Sequence, residues 1–122
     1  MTGEPIGLRR GQLHWAYLDP VIGSEQAGRR PVVIVSIDEL LLGPTLVVVP
    51  LTSRVPVHMP PQYVLLPRSR TGLAQDSVAL CHQVRAISTR RLVGRAGNDL
   101  NEADMAAIGY ALRYVLDVEQ VA

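Results

Sequence analysis

The sequence predicts a mainly β protein of the α+β class: a small barrel or strongly bent sheet with one helix at its C-terminal end. Short alternating or apolar segments recur along the first 90 residues, and proline, glycine and polar residues separate them. Residues 101–116 change to a helical period. At 122 residues and 48% hydrophobic content, we expect one domain over residues 1–122, with a flexible N-terminus at residues 1–9.

The first strand is predicted at residues 12–18, where Leu13, Trp15 and Tyr17 alternate with smaller or polar residues. We expect Trp15 and Tyr17 to be buried. Residues 32–35 are β-branched or aliphatic throughout, which indicates a strand covered on both faces. Further strands are predicted at residues 45–51, 62–66, 78–80 and 84–87.

The segments between these strands carry turn signals. Residues 21–30 form a predicted loop that contains glycines and two adjacent arginines. Residues 37–42 allow one helical turn before a glycine–proline pair ends it. Three prolines predict a surface loop over residues 54–61, and residues 67–73 form a basic turn.

The C-terminal helix has a recognisable start. Asn101 is the predicted N-cap. Asp104 is at the third helical position, from which its side chain could bond back to the N-cap residue as in a capping box. Tyr110 and Tyr114, four residues apart, define one flank. A second set of side chains, spaced mostly three and four apart, predicts the stripe that packs on the sheet: Met105, Ile108, Leu112, Val115 and Leu116.

Composition excludes several classes of protein. The apolar fraction is too high, and the net charge of +1 too small, for a disordered chain. The apolar runs are too short for a membrane span and the first eleven residues lack a signal-peptide core, so we expect a cytoplasmic protein with no membrane association. The single cysteine, Cys81, excludes a disulfide framework and a cysteine-based zinc site; we expect it to pack in the core.

The small net charge conceals an uneven distribution. Residues 1–95 carry a formal charge of +5 and residues 96–122 a charge of −4. This asymmetry is compatible with a phosphate-facing body and a solvated acidic segment. All twelve basic residues are arginines. Codon bias can explain the absence of lysine, but the planar guanidinium also suits phosphate.

Four blocks of sequence carry a resemblance to a known family. They are residues 10–15 (RGQLHW) followed by Asp19-Pro20, residues 23–31 (GSEQAGRRP), residues 47–53 (VVVPLTS) and residues 76–87 (DSVALCHQVRAI). In this order, over about residues 10–116, they resemble the MazF/PemK toxins of bacterial toxin–antitoxin pairs. The resemblance implies a small SH3-like β-barrel (CcdB/PemK-like) with a C-terminal α-helix, assembled as a homodimer.

The same resemblance implies an activity. It is sequence-specific endoribonuclease cleavage of single-stranded RNA, often messenger RNA, without a metal or other cofactor, and a cognate antitoxin protein blocks it. Such cleavage uses the 2′-hydroxyl of the RNA as nucleophile and leaves a 2′,3′-cyclic phosphate and a 5′-hydroxyl. The protein must assist proton transfer and stabilise charge on the phosphoryl oxygens.

Three residues are the predicted catalytic set. The resemblance implies Arg30, whose guanidinium can bridge two phosphoryl oxygens, and Thr52, whose hydroxyl can donate to one. Arginine stays protonated near neutral pH, so Arg30 is expected to stabilise charge rather than to act as a base. Glu25 is a supporting candidate, either as a proton acceptor or as an ion-pair partner of Arg29 or Arg30.

Other polar side chains are predicted to contact the RNA. Amides can read base edges, and arginines can hold phosphates. His82 is either a proton carrier or structural, and Gln83 either reads RNA or satisfies loop backbone. The predicted RNA-binding residues are Gln26, Arg29, Ser53, His82, Gln83 and Arg85.

The sequence departs from an alternative catalytic set of some PemK-type members. Those members have histidine, arginine and aspartate where this chain has Ser24, Leu80 and His82. Two other functions stay open at this stage. One is a CcdB-like gyrase poison, although the Trp-Gly-Ile ending of that branch is replaced by residues 118–122 (VEQVA). The other is a catalytically silent barrel that binds RNA or protein.

Overall fold

A computed structural model describes residues 7–18, 22–23, 25 and 28–119 of the chain. Single turns of 3-10 helix occupy Asp38–Leu40, Cys81–Gln83 and Thr89–Arg91. The longer elements in this part of the chain are β1 Leu13–Tyr17, β2 Arg29–Ile34, β3 Thr45–Thr52, β4 Tyr63–Leu66, α1 Arg68–Thr71, β5 Ser77–Leu80, β6 Arg85–Ser88, β7 Leu92–Arg95 and α2 Glu102–Leu116.

The strands form one antiparallel sheet in the order β4-β5-β3-β2-β1-β7, with β6 also paired to β3. The long strand β3 therefore has different neighbours along its length: β6 beside residues 45–48, β2 beside residues 48–50, and β5 beside Leu51 and Thr52. The predicted mainly β class with a C-terminal helix is confirmed. Among the described residues the pairings leave the sheet open, so the barrel-like form is a strongly bent sheet rather than a closed ring.

Apolar side chains cover both faces of the sheet. One cluster contains Leu13, Val33 and Val49 and packs against Ile108 of α2. The other cluster lies on the opposite face, because strand residues alternate in direction. It contains Ala16, Leu18, Val32, Ile34, Leu41, Leu46, Val48, Ile87 and Leu92. The prediction that residues 32–35 are covered on both faces is thus confirmed.

Most of the predicted elements are present with shifts of one to three residues at their ends. The basic turn at residues 67–73 contains the short helix α1, which ends at Gly72 in the left-handed conformation (φ 73°). Strand β7 was not predicted, because Leu92–Arg95 is only four residues long and its glycine, Gly94, weakens any strand pattern. Cys81 is buried as predicted, and this burial raises the pKa of its thiol to about 12.

Helix α2 begins as predicted and differs in detail. The Asn101 side chain accepts a hydrogen bond from the Asp104 backbone N–H (2.7 Å). The Asp104 carboxylate does not complete a capping box; it accepts two hydrogen bonds, of 3.0 and 3.1 Å, from the Arg70 guanidinium. The apolar stripe packs on the sheet except for Leu116, which is 56% exposed in the last turn. The prediction that Leu116 belongs to the packing stripe is therefore wrong.

The N-terminal segment contacts the body of the protein where the structure describes it. The prediction of a flexible N-terminus concerns residues 1–9, of which residues 1–6 lie outside the described residues. The carbonyl oxygen of Gly7 accepts a hydrogen bond from the Gln12 side chain (2.9 Å), and the Arg9 guanidinium lies 3.9 Å from Asp99. Among the described helices, none is long and apolar enough to cross a membrane.

His14 is an unusual buried group on β1. Its side chain is 5% exposed, its Nε2 lies 2.9 Å from Gln12 Oε1, and its Nδ1 has no hydrogen-bond partner. Burial, reinforced by the positive charge of Arg95, lowers the pKa of His14 below its ordinary value of 6.5, and Asp99 opposes this only in part. The folded protein therefore holds His14 in its neutral form.

This burial predicts that the folded state loses stability in mild acid. Between the lowered pKa of the folded state and the ordinary value of about 6.5 in the unfolded chain, the unfolded state binds more protons, so the free energy of unfolding falls as pH falls below about 6.5. One such group contributes a slope of up to about 1.4 kcal/mol per pH unit. Urea unfolding at pH 7.0, 6.0 and 5.5 measures it. His14→Gln should flatten the dependence of the free energy of unfolding on pH. An unchanged dependence would show that His14 is not its source.

Candidate active site

The candidate site lies where the pairing of β2 with β3 ends. The last pair in this ladder joins Val32 to Pro50, and a proline has no N–H to donate. Arg30 of β2 and Thr52 of β3 each lie two residues beyond this last pair, at positions that the same register would place opposite each other. Residues directly opposite in an antiparallel pair point to the same face. In that register the side chains of the two principal catalytic candidates share one face of the sheet, which is the face opposite to that of Leu51.

A cavity of about 320 Å³ opens at the same point. Strands β2 and β3 contribute one side of it, and the segment between α1 and β5 contributes the other. Gly72, whose φ of 73° suits a residue without a side chain, starts that second side. The described lining residues are Trp15, Arg29, Arg30, Pro31, Leu51, Ser53, Gly72, Leu73, Ala74, Gln75, Ser77 and Ala96.

Three of the predicted site residues, Arg29, Arg30 and Ser53, line this cavity. The guanidinium carbon of Arg29 lies 4.3 Å from the centre of the Trp15 ring, which is a cation–π contact. Trp15 is half-buried and Tyr17 is 51% exposed, so the prediction that both are buried is wrong for Tyr17. The alternation in β1 correctly placed Trp15 and Tyr17 on the same face of the strand. Tyr17 is at the end of β1, where the apolar cluster on that face no longer covers the side chain.

Thr52 is 7% exposed and does not appear among the described lining residues. Alternation along β3 turns its side chain to the opposite face from Leu51, which lines the cavity. Its Oγ1 accepts a hydrogen bond from the Arg54 N–H (3.2 Å). This contact uses the oxygen as an acceptor, so the hydroxyl proton can be directed toward a ligand.

Glu25 lies in the loop before β2, and Gln26 lies outside the described residues. The Glu25 side chain is exposed, and its Oε1 accepts a hydrogen bond from the Ile22 N–H (3.3 Å). This contact orders the loop locally, and it bears on neither of the two predicted roles of the carboxylate. The role of Glu25 stays a prediction.

Arg85 and Arg91 reach the end of β1 from other strands. The Nη1 atom of Arg85 donates to the carbonyl oxygen of Leu18 (3.4 Å), and Nη1 of Arg91 donates to that of Tyr17 (3.1 Å). Both guanidinium groups therefore hold the point where β1 leaves the sheet toward the loop that precedes Arg30. Arg91 was not among the predicted site residues.

His82 and Gln83 lie in the 3-10 turn that follows β5, away from the lining of the cavity. The exposed His82 ring stacks on Tyr63 of β4, with 5.6 Å between ring centres and an angle of 17° between planes. Gln83 is partly buried in the same turn. The structure thus separates these two candidates from Arg29, Arg30 and Ser53, and their roles in RNA binding stay predictions.

The segment that lines the far side of the cavity was not identified from the sequence. Leu73, Gln75 and Ser77 lie more than 40 residues from Arg30 along the chain, and only the order of the strands brings them beside β2. Trp15 was identified, but as a core residue. The one available signal was Gly72 within the basic turn, because a glycine there marks an abrupt change of chain direction.

The fold and the site together define a class of protein: a small, strongly bent antiparallel sheet with an arginine-lined cavity suited to a phosphate-bearing ligand. Residues 9–116 match the family described as PemK-like, MazF-like toxin of type II toxin–antitoxin system. The chain belongs to this family.

Individual relatives agree with this assignment. The chain is 38% identical over 117 residues to the endoribonuclease MazF9 of Mycobacterium tuberculosis, covering 91% of this chain and 98% of the relative. It is 34% identical over 110 residues to the endoribonuclease EndoA of Bacillus subtilis, covering 89% and 94%. The crystal structure of MazF from Deinococcus radiodurans superposes with a TM-score of 0.75 at 25% identity, covering 91% and 97%.

Proposed function

We propose that this protein is the toxin of a toxin–antitoxin pair and that it is an endoribonuclease that cleaves single-stranded RNA at specific sequences. Its membership of the toxin family and the names of its relatives EndoA and MazF9 support the activity. The observation that carries the proposal is the register of Arg30 and Thr52, which each lie two residues beyond the last β2–β3 pair. The comparisons favour neither a gyrase poison nor a silent binding barrel.

The proposed reaction is an attack within the RNA that Arg30 and Thr52 assist, and it also needs a proton acceptor and a proton donor. The 2′-oxygen forms a bond to the adjacent phosphorus, the bond from phosphorus to the 5′-oxygen breaks, and a 2′,3′-cyclic phosphate and a 5′-hydroxyl result. Arg30 bridges two phosphoryl oxygens as negative charge builds on them, and the Thr52 hydroxyl donates to one of these oxygens. The proton of the 2′-hydroxyl leaves to a base, and another proton reaches the 5′-oxygen.

The proposal does not require a metal ion. Among the residues that the structure describes, no three histidine, cysteine, aspartate or glutamate side chains form a group that could hold one. The test is to incubate the pure protein with a diverse single-stranded RNA pool in excess EDTA and to map both new ends. Cleavage with cyclic phosphate and 5′-hydroxyl ends is expected, and an absolute need for magnesium would overturn the mechanism.

The proposed setting follows the family. The family description supports a cognate antitoxin protein as partner. The proposal further includes a homodimer in the cytoplasm, formed by one toxin domain per chain. Light scattering of the pure protein tests the dimer, and co-purification with the product of a neighbouring gene tests the antitoxin.

Thr52→Val should lower the cleavage rate in a protein that still folds, although it also removes the acceptor of the Arg54 N–H. The substitution keeps the branched shape of a buried side chain at the end of β3 and removes only its hydroxyl. A hydrogen bond to a charged oxygen contributes about 1.5–3 kcal/mol, so we expect a loss of roughly ten- to a hundredfold in single-turnover rate. Thr45→Val, at the exposed start of the same strand, is the matched control. Equal rates in the two variants would exclude a catalytic role for Thr52.

A further inference from the structure

We propose that Arg91 and Arg85 are positioning residues for the cleavage reaction, because they hold the end of β1 and, through β1, the strand position of Arg30. This inference rests on the proposed endoribonuclease function and names two residues that act within it through Arg30. Arg91 was not among the site residues predicted from the sequence, and Arg85 was predicted to contact the RNA directly.

The backbone of β1 determines where Arg30 lies. Ala16 of β1 is directly opposite Arg30 in the β1–β2 ladder. Two residues further along, the N–H of Leu18 donates to the carbonyl oxygen of Gly28 (3.0 Å). Pairs that exchange backbone hydrogen bonds alternate with pairs that do not in an antiparallel ladder, so Ala16 and Arg30 also form a hydrogen-bonded pair. A shift at the end of β1 therefore moves the backbone of Arg30.

Arg91 adds one hydrogen bond to β1 where its ladder with β7 ends. The last pair of that ladder joins Ala16 to Leu92, and Arg91 precedes Leu92 in a 3-10 turn. Tyr17 lies between two hydrogen-bonded pairs of the β1–β2 ladder, so its carbonyl oxygen is directed to the β7 side of β1. The Nη1 atom of Arg91 donates to this oxygen (3.1 Å). The side chain of Arg91 thus continues the ladder by one hydrogen bond beyond the last backbone pair.

The turn that carries Arg91 is itself firmly anchored. Thr89 is 1% exposed, and both its N–H and its hydroxyl donate to the carbonyl oxygen of Pro44, at 2.9 and 3.3 Å. The Ser88 hydroxyl oxygen accepts a hydrogen bond from the Arg90 N–H (3.2 Å). The half-buried Arg91 side chain therefore extends from a fixed base toward the end of β1.

Arg85 holds the next carbonyl group from a different strand. It pairs with Val48 of β3, whose side chain belongs to the same apolar cluster as Leu18, so Arg85 and Leu18 lie on one face of the bent sheet. The Nη1 atom of Arg85 donates to the carbonyl oxygen of Leu18 (3.4 Å). Two successive carbonyl groups at the end of β1, those of Tyr17 and Leu18, thus each accept a hydrogen bond from an arginine of another segment.

Loss of either contact should misplace Arg30 without removing it. A group that stabilises charge in a transition state is effective only when its position is fixed in advance. A misplacement of about 1 Å can cost about a hundredfold in rate. Because two arginines share this task, we expect removal of one contact to cost about tenfold in the rate of the chemical step and to change RNA affinity little.

The experiment is a double-mutant cycle between Arg91 and Arg30. Arg91→Met keeps the aliphatic stem and removes the donors, and it should lower the single-turnover cleavage rate in EDTA about tenfold. In an Arg30→Ala background the same substitution should cost less than about twofold, because residues that act through one another are not additive. Equal losses in the two backgrounds would indicate a general structural defect and would overturn the inference. Arg90→Met, exposed in the same turn, is the matched control and should keep its rate.

Arg85→Met tests the second contact independently, so the inference stays testable even if Arg91→Met does not fold. RNA affinity is measured with a single-stranded oligonucleotide that has a 2′-deoxy nucleotide at the cut position, and it should be unchanged in both variants. Weaker binding by Arg85→Met with an unchanged rate would make Arg85 an RNA-binding residue and overturn its positioning role. Absence of RNA cleavage by the unmodified protein would instead overturn the proposed function.

Discussion

Arg30→Ala should lower the single-turnover rate of RNA cleavage by about 10²–10³-fold, the usual cost of removing one donor that stabilises developing negative charge. Arg30 lies two residues beyond the last β2–β3 pair, as Thr52 does, and it follows Arg29, which also lines the cavity. The rigid ring of Pro31 follows it and restrains its backbone. A guanidinium held in this way is already oriented when the phosphorus becomes five-coordinate, so its effect falls mainly on the rate and less on RNA binding.

Two controls separate this role from a general loss of positive charge. Arg30→Lys keeps the charge and removes the planar fork, so it should recover only part of the lost rate. Arg90→Ala removes one arginine from an exposed turn and should leave the rate unchanged. The rates are measured with saturating enzyme in EDTA. RNA affinity is measured with a single-stranded oligonucleotide that has a 2′-deoxy nucleotide at the cut position and therefore cannot be cleaved. If Arg30→Ala lost affinity but kept its rate, Arg30 would be a binding residue rather than a catalytic one.

In the folded protein, acidic residues of the C-terminal segment form ion pairs with arginines of the rest of the chain. The sequence suggested a basic body and a solvated acidic segment. In the structure Asp104 forms an ion pair with Arg70 (3.0 Å), and Asp99 pairs with Arg95 and lies near Arg9. The hydrogen bonds that the Arg70 guanidinium donates to Asp104 also raise the pKa of Arg70. Two acidic residues therefore neutralise arginines of the body, while Arg29 and Arg30 line the cavity.

Local patterns accounted for much of the fold. The alternation around Leu13 predicted β1, the β-branched run predicted β2, and Asn101 predicted the start of α2 because each of these signals is contained within a few residues. The partner of Asp104 was not predictable in this way. Arg70 is 34 residues distant, and no spacing rule connects the two.

The candidate site shows the same limit more sharply. Residue chemistry alone left Arg30 as one of twelve arginines, and the resemblance to a family supplied its proposed role. The cavity beside it is formed by Trp15, Arg29 and Gln75 from three separate parts of the chain. The order of strands in a sheet decides which loops lie close together. The site could therefore not be predicted from the segments taken one at a time.

Gly97→Ala should lower the free energy of unfolding by about 2–3 kcal/mol, the upper part of the usual range for forcing an extra carbon into a packed region. A β-carbon on Gly97 would overlap the carbonyl oxygen of Thr71 well inside van der Waals contact and would also meet Leu13 Cδ1 at 3.5 Å. The same carbonyl accepts a hydrogen bond from the Asn98 N–H (2.8 Å). Neither chain segment can withdraw without breaking that bond.

Gly109→Ala is the matched control because the same substitution there should have the opposite sign. Gly109 lies inside α2, and a β-carbon would meet nothing within 4 Å, so alanine should stabilise the helix by about 0.5–1 kcal/mol. Urea unfolding of the three proteins at pH 7 gives both differences, and equal stabilities would contradict the overlap at Thr71. Gly97 follows Ala96 in the chain and packs against Thr71, and both Ala96 and Gly72, the residue after Thr71, line the cavity. A shift there should also lower RNA cleavage at temperatures where the variant remains folded, since packing at Gly97 holds one wall of the site in place.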